Sequence, residues 1–275
     1  MKRTPFWRIF AVFAAPFALF STPPASAEEA VWIGGNMIQV AVHRTDLTPL
    51  PSQSTHPLMA YLARPDEPGR HPAVIEMHGC DGFGPLDVVV ADALKSFGYV
   101  ALALDSLGDD VACDNVDGGL AEAFDAYAAL DWLVQQSYVD PDRVGLIGFS
   151  MGGGAALDAV TSGLIKSKKP QRFRAAIAYY PWCKDRDGST TVPTLILIGD
   201  QDDRTLASWC QQMVADPDRK GSPIDLVVYP GAWHAFNYPG PPRQYLGHHI
   251  EYNPTATADA WSRVRHFLHD TLGSR

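Results

Sequence analysis

Basic residues are scarce in this chain, cysteines scarcer still, and apolar runs of membrane-spanning length are missing. Of its 275 residues, 22 are Lys or Arg against 31 Asp or Glu, a formal net charge of −9. An acidic chain is repelled by nucleic acid and anionic lipid, so neither is expected as a partner. Only four cysteines occur, Cys80, Cys113, Cys183 and Cys210, and no two are closer than 27 residues. Structural zinc sites draw on closely spaced cysteines, which excludes that reading. The run His248-His249-Ile250-Glu251 holds ligand types, but adjacent histidines seldom face one ion, and no metal is expected. The apolar run Ile9 to Phe20 is too short to cross a bilayer.

That run is preceded by Lys2, Arg3 and Arg8 and followed by Pro23-Pro24-Ala25-Ser26-Ala27. A basic segment, a short apolar core and an Ala-x-Ala ending are the parts of a secretory signal. Residues 1–27 are therefore read as a leader cleaved after Ala27, and 28–275 as one domain. The leader carries three basic residues, so the remainder holds 19 against 31 acids, net −12. The product is expected in the periplasm or outside the cell, with no membrane anchor after cleavage. An even cysteine count in an oxidising compartment favours two disulfides. Three pairings are possible. Cys80–Cys113 with Cys183–Cys210 is favoured, because each joins loops that follow neighbouring strands at one sheet edge.

What is present is an alternation of short apolar runs and helical patterns. Val31 to Val42 and Leu58 to Ala63 read as two opening strands, separated by the polar, proline-containing Arg44 to Pro57. Further strands are expected at 73–77, 99–104, 175–179, 193–198 and 226–229, with another leading into Gly148. Helices are expected at 87–97, 120–136, 206–215 and 256–272. In the second helix Phe124, Tyr127, Ala128, Leu130, Trp132 and Leu133 form the apolar stripe. Asp140-Pro141-Asp142 reads as a turn. Strands alternating with helices imply an α/β fold, a doubly wound, mostly parallel sheet of about eight strands with helices on both faces. In such sheets chemistry gathers in loops at the carboxyl ends of strands.

One of those loops organises the rest. Val144 to Ile147 runs into Gly148-Phe149-Ser150-Met151-Gly152, and a small-residue helical segment, Ala155 to Val160, follows. A strand, a tight turn and a helix place Ser150 at the apex, and Gly148 and Gly152 allow the close approach that such a turn needs. A phosphate loop needs Gly-Lys-Ser/Thr, and no lysine follows these glycines before Lys166; the spacing for a dinucleotide fingerprint is wrong as well.

A serine hydroxyl is a feeble nucleophile without a base. His234, in Pro230-Gly231-Ala232-Trp233-His234-Ala235-Phe236 after the last strand, is the candidate base. Asp202, in Gly199-Asp200-Gln201-Asp202-Asp203, is the candidate acid that orients it, with Asp203 and then Asp200 as alternatives. Oxyanion donors are expected from the amide of Met151, at a helix N-terminus, and from Cys80 in His78-Gly79-Cys80-Asp81-Gly82, with Gly79 second. His78 reads as an anchor for that loop. Trp182, Tyr238 and Tyr245 are candidates to line a substrate pocket. The order Ser150, Asp202, His234 is that of an α/β-hydrolase.

Over nearly the whole length after the leader, the chain resembles the dienelactone hydrolase family of α/β-hydrolases. Gly148-Phe149-Ser150-Met151-Gly152-Gly153, Gly199-Asp200-Gln201-Asp202 and Gly231-Ala232-Trp233-His234-Ala235-Phe236 carry the resemblance. It implies an α/β-hydrolase fold with nucleophile Ser150, acid Asp202 and base His234, and no cofactor. The sequence departs from that family in three places. Dienelactone hydrolases proper have a cysteine where Ser150 stands, a glutamate in the loop that here reads Gly79-Cys80, and an arginine where this chain has Tyr238. The expectation is a serine-type relative that hydrolyses a small carboxylic ester. Peptidase or acyltransferase chemistry on the same triad, or a binding protein with an idle triad, are its rivals.

Overall fold

The structure, a computed structural model, describes residues 26–33, 36–43, 47–50, 58–106, 116–161 and 172–273. In chain order the elements are β1 (Ser26–Ile33), β2 (Asn36–His43), β3 (Leu47–Leu50), β4 (Leu58–Ala63), β5 (His71–Met77), α1 (Pro85–Ser96), β6 (Val100–Asp105), α2 (Val116–Leu133) and β7 (Val139–Phe149). There follow α3 (Met151–Val160), β8 (Ala175–Tyr179), β9 (Thr194–Gly199), α4 (Ala207–Ala215), β10 (Ile224–Tyr229), β11 (Arg243–Tyr245), β12 (His248–Ile250) and α5 (Pro254–Leu272).

Eight strands form the central sheet in the order β10-β9-β8-β7-β5-β6-β4-β3. All neighbours from β10 to β6 are parallel, and β4 and β3 join antiparallel at one end. Consecutive strand residues point to opposite faces, and the inner strands β5, β6, β8 and β9 bury both their rows. On β6, Val100, Leu102 and Leu104 pack with Leu130 and Leu133 of α2, while Ala101 and Ala103 pack with Val90 and Leu94 of α1. Helices α4 and α5 share the face of α1. Each fully buried Val or Leu among them contributes roughly 1.5–3 kcal/mol. Strand order reverses between β5 and β7, and a crevice opens at the carboxyl ends of strands where that happens. The fold is the expected α/β-hydrolase arrangement.

Several boundaries differ from the sequence reading, each for a physical reason. Val31 to Val42 is not one strand; β1 and β2 pair antiparallel with Ile33 opposite Asn36, so only Gly34 and Gly35 separate them. The polar separator Arg44 to Pro57 contains strand β3, whose Pro49 is accommodated because β3 is the sheet's edge. Asp140-Pro141-Asp142 lies inside β7 rather than before it. The register with β5 slips there, between Val139 opposite His71 and Val144 opposite Ala73, where Pro141 has no N–H to donate. Helix α2 starts at Val116, and Phe124 is 62% exposed, not part of its buried stripe. Ala123, Ala126, Tyr127, Leu130 and Leu133 make that stripe instead. A short antiparallel hairpin, β11–β12, precedes α5. The expected leader lies outside the described residues except for Ser26 and Ala27, which open β1. Among the described residues no helix is long and apolar enough to cross a membrane.

Candidate active site

Parallel β5, β7, β9 and β10 end at the same edge of the sheet, and the loops leaving them carry Gly79-Cys80, Ser150, Asp202 and His234. The turn after β7 is held in a conformation that L-residues avoid: Ser150 has φ 53° and ψ −107°. A strained, non-glycine backbone of this kind persists only where its surroundings over-determine it. Here they do. The Ser150 amide donates to Tyr179 O at 3.0 Å and the Gly152 amide to His78 O at 3.1 Å. An added Cβ at Gly148 would stand 2.0 Å from Gly152 O, and one at Gly152 would stand 2.3 Å from Met77 O. The two glycines are required because backbone passes where side chains would start.

The result is a continuous polar line. Ser150 Oγ lies 3.0 Å from His234 Nε2, and His234 Nδ1 lies 2.8 Å from Asp202 Oδ2. His234 and Asp202 are each only 3% exposed. Asp202 is immobilised through both oxygens. Oδ1 accepts from the amides of Arg204 (3.0 Å) and Thr205 (2.8 Å), and Oδ2 accepts from Thr205 Oγ1 (2.9 Å). With a carboxylate facing Nδ1, that nitrogen carries the ring proton and Nε2 is left to receive one from Ser150.

Of the three acids in this loop, Asp202 is the one that meets the imidazole. Asp203 turns outward, 3.4 Å from His248 Nδ1 and 3.3 Å from the His249 amide it accepts from. Asp200 accepts from the Gly231 amide at 2.7 Å and so braces the loop that bears His234. The second brace is a close crossing in which a Cβ at Gly199 would stand 2.0 Å from Ala232 O. Ile250 of β12 forms a bridge with His234, docking the hairpin onto the same loop.

The loop after β5 runs beside the serine. A Cβ at Gly79 would lie 3.8 Å from Ser150 Cβ. Met151 opens α3, so its amide belongs to the helix N-terminus, where backbone dipoles favour negative charge. Cys80 is disulfide-bonded; Cys113, its expected partner, lies outside the described residues. Cys183 and Cys210 form the other expected disulfide.

The three pocket candidates sit around this edge in different ways. Trp182 is 43% exposed and packs against Trp209, with ring centroids 4.7 Å apart. Tyr238 is half-buried beneath the Arg243 guanidinium, 4.7 Å above its ring. Tyr245 is half-buried on β11, its hydroxyl pKa raised by burial and by Asp81. His249 pairs with Glu251 at 2.8 Å, and among the described residues no group of three or more His, Cys, Asp or Glu converges as a metal set.

Sequence reasoning missed four supporting residues. Thr205 joins Asp202 and His234; its hydroxyl lies 3.3 Å from Nδ1. Tyr180, at φ 35°, sets its ring 4.7 Å from the imidazole and donates to Asn237 Oδ1 at 2.6 Å. Nothing in their local sequence signals these roles. Glu76 did carry a signal, a lone charge in the apolar run Ala73-Val74-Ile75-Glu76-Met77, and it is wholly buried.

Comparison with known proteins identifies the family. The model of the family described as the dienelactone hydrolase family matches residues 58–272. A Bradyrhizobium protein described as a probable 2-oxo-3-(5-oxofuran-2-ylidene)propanoate lactonase is 28% identical over 241 residues, covering 76% of this chain and 88% of its own. A cutinase of Thermobifida fusca is 29% identical over 145 residues, 50% of this chain but 41% of that one. Among solved structures, propionate-bound esterase 2 of Thermogutta terrifontis superposes with a TM-score of 0.63 at 18% identity, over 83% of this chain and 94% of that one. At that identity the likeness is one of fold.

Proposed function

The chain belongs to the dienelactone hydrolase family and is a carboxylic ester hydrolase; from that premise we propose that it is an exported serine enzyme working through an acyl-enzyme. The observation that carries this reading is the line of contacts from Asp202 through His234 to Ser150, at 2.8 and 3.0 Å. Ser150 Oγ attacks the ester carbonyl carbon as its proton passes to His234 Nε2. Asp202 balances the imidazolium that forms. The amides of Met151 and Cys80 hold the oxyanion of the tetrahedral intermediate, each worth about a hundredfold or more in turnover. Collapse expels the alcohol, which takes the proton from Nε2. Water, deprotonated by the same nitrogen, then attacks the acyl carbon, and Ser150 departs with that proton. The sequence requires no cofactor or metal.

The names of the relatives, lactonase, cutinase and esterase, support an ester or lactone as substrate. Trp182, Tyr238 and Tyr245 are proposed to contact it, and the acidic chain suits an uncharged one. Export is supported by the signal-like composition of residues 1–27 and by the cysteines, none of which is free among the described residues. Protein recovered from the periplasm or medium is expected to begin at Glu28. The test of the chemistry is Ser150→Ala, assayed on p-nitrophenyl acetate. Hydrolysis falls to the buffer rate if the reading is right; a variant as active as the parent refutes it.

A further inference from the structure

The imidazole of His78 is wholly buried directly beneath the proposed oxyanion loop, and the triad makes no use of it. Its Nδ1 lies 2.7 Å from Gly79 O and its Nε2 lies 2.9 Å from Ser106 O. Both partners are carbonyl oxygens, which have no proton to give. A neutral imidazole has one N–H and one lone pair, so one contact would set lone pair against lone pair. Only the doubly protonated ring satisfies both. Acids surround it: Glu122 Oε1 of α2 lies 3.4 Å from Nδ1, Asp87 stands in the first turn of α1, and the wholly buried Glu76 precedes His78 by two residues on β5. Asp125 of α2 accepts from Ser106 Oγ, and Asp81 follows in the loop itself. Burial opposes a charge on the ring, the Asp87 carboxylate and the two carbonyl contacts favour it, and the pKa of His78 is raised.

Gly79 C=O and Cys80 N–H belong to one peptide unit. In a planar trans peptide those two groups point in opposite directions. A hydrogen bond that draws Gly79 O down onto His78 therefore aims Cys80 N–H up, away from the core. The Gly82 amide donates to the same oxygen at 3.1 Å and holds the loop from its other side. A cationic donor on the carbonyl also polarises the peptide and strengthens its N–H as a donor. We propose that His78 is a positioning residue, a buried imidazolium that orients and polarises the Gly79–Cys80 peptide as an oxyanion donor. This rests on the acyl-enzyme reading above, and goes beyond it by giving a reason for the histidine and for the acids packed around it.

The test has two arms. In the first, nitrogen NMR of the resting wild-type enzyme at pH 7, with His78 assigned through its sequential connectivities to Met77 and Gly79, reads ring protonation without any turnover. Two protonated ring nitrogens are expected; a single one overturns the proposal. In the second, His78→Gln and His78→Phe are assayed on p-nitrophenyl acetate. Loss of an aimed oxyanion donor lowers kcat about a hundredfold while KM stays within a few-fold, because the interaction is made only in the transition state. A folded variant with kcat within threefold of wild type, or one that loses only thermal stability, overturns it. Failure of the nucleophile assignment shows separately, as hydrolysis surviving Ser150→Ala. Should neither His78 variant fold, the spectrum of the wild-type ring still decides.

Discussion

Asp202→Asn replaces one oxygen by an amide NH2 of nearly the same size, so it changes hydrogen bonding and charge with little change in packing. Wild-type Asp202 accepts four hydrogen bonds: two backbone amides on Oδ1, and Thr205 Oγ1 and His234 Nδ1 on Oδ2. An asparagine has one oxygen to offer these donors. With its oxygen toward the imidazole, its NH2 confronts the amides of Arg204 and Thr205. With its oxygen toward those amides, its NH2 faces Nδ1, which must then accept. The second arrangement keeps the loop intact and shifts the ring proton to Nε2, where it blocks transfer from Ser150. A wrong tautomer and a lost counter-charge together cost about ten-thousandfold in kcat, or roughly 5.5 kcal/mol at 1.36 kcal/mol per decade. The assay is kcat on p-nitrophenyl acetate between pH 6 and 9, with Asp203→Asn alongside. Asp203 faces His248 and His249 instead, and its variant should stay within a few-fold of wild type. An Asp202→Asn enzyme within tenfold of wild type at neutral pH would refute the reasoning.

The elbow and the core supply further outcomes. Gly148→Ala puts a methyl 2.0 Å from a backbone oxygen and is expected to cost at least about 3 kcal/mol, or to prevent folding. Gly154→Ala meets only Arg186 Nη2, at 3.5 Å, and should stabilise α3 by up to about 1 kcal/mol; equal denaturation midpoints for the two variants would contradict this. Removing the Cys183–Cys210 bond, which spans 27 positions, as the double alanine variant should cost about 3 kcal/mol and lower Tm by roughly 6–12 °C by calorimetry. An unchanged Tm would be inconsistent with that bond. Burial pushes the Glu122 carboxyl up to about 8, so between its ordinary range and pH 8 the folded chain holds a proton that the unfolded chain has released. Stability is then full at the acid end of that window and falls as pH rises through it, by up to about 1.4 kcal/mol per pH unit. Glu122→Gln should flatten the fall in Tm between pH 5 and 8, and an unaltered slope would speak against it.

The parts of this molecule that were legible in the sequence are those where one local pattern has one physical solution. Gly148-x-Ser150-x-Gly152 between an apolar strand and a small-residue helix has to be a tight elbow, and the structure shows the backbone crossings that exclude side chains there. Parallel strands buried on both faces announced themselves as unbroken apolar runs, as in Val100 to Leu104. Patterns with several solutions were not resolved. Phe124 fits a helical stripe in projection, but the buried arc of α2 is set by where it meets β5 and α3, a tertiary fact. The choice among Asp200, Asp202 and Asp203 depends on how one loop twists against the next. Thr205, Tyr180 and the ring of acids around His78 come from six separate elements or loops, and no spacing rule joins them. The lone Glu76 in a buried strand was the one available hint of that cluster.

Rapid acid quench of the enzyme during turnover of p-nitrophenyl acetate, followed by peptide mapping by mass spectrometry, reads the nucleophile itself. The account predicts a single acetyl group on the peptide carrying Ser150, forming at the rate of the p-nitrophenol burst and absent from Ser150→Ala. Turnover by a folded enzyme with the acetyl group on another residue, or undiminished in the Ser150→Ala variant, would contradict it.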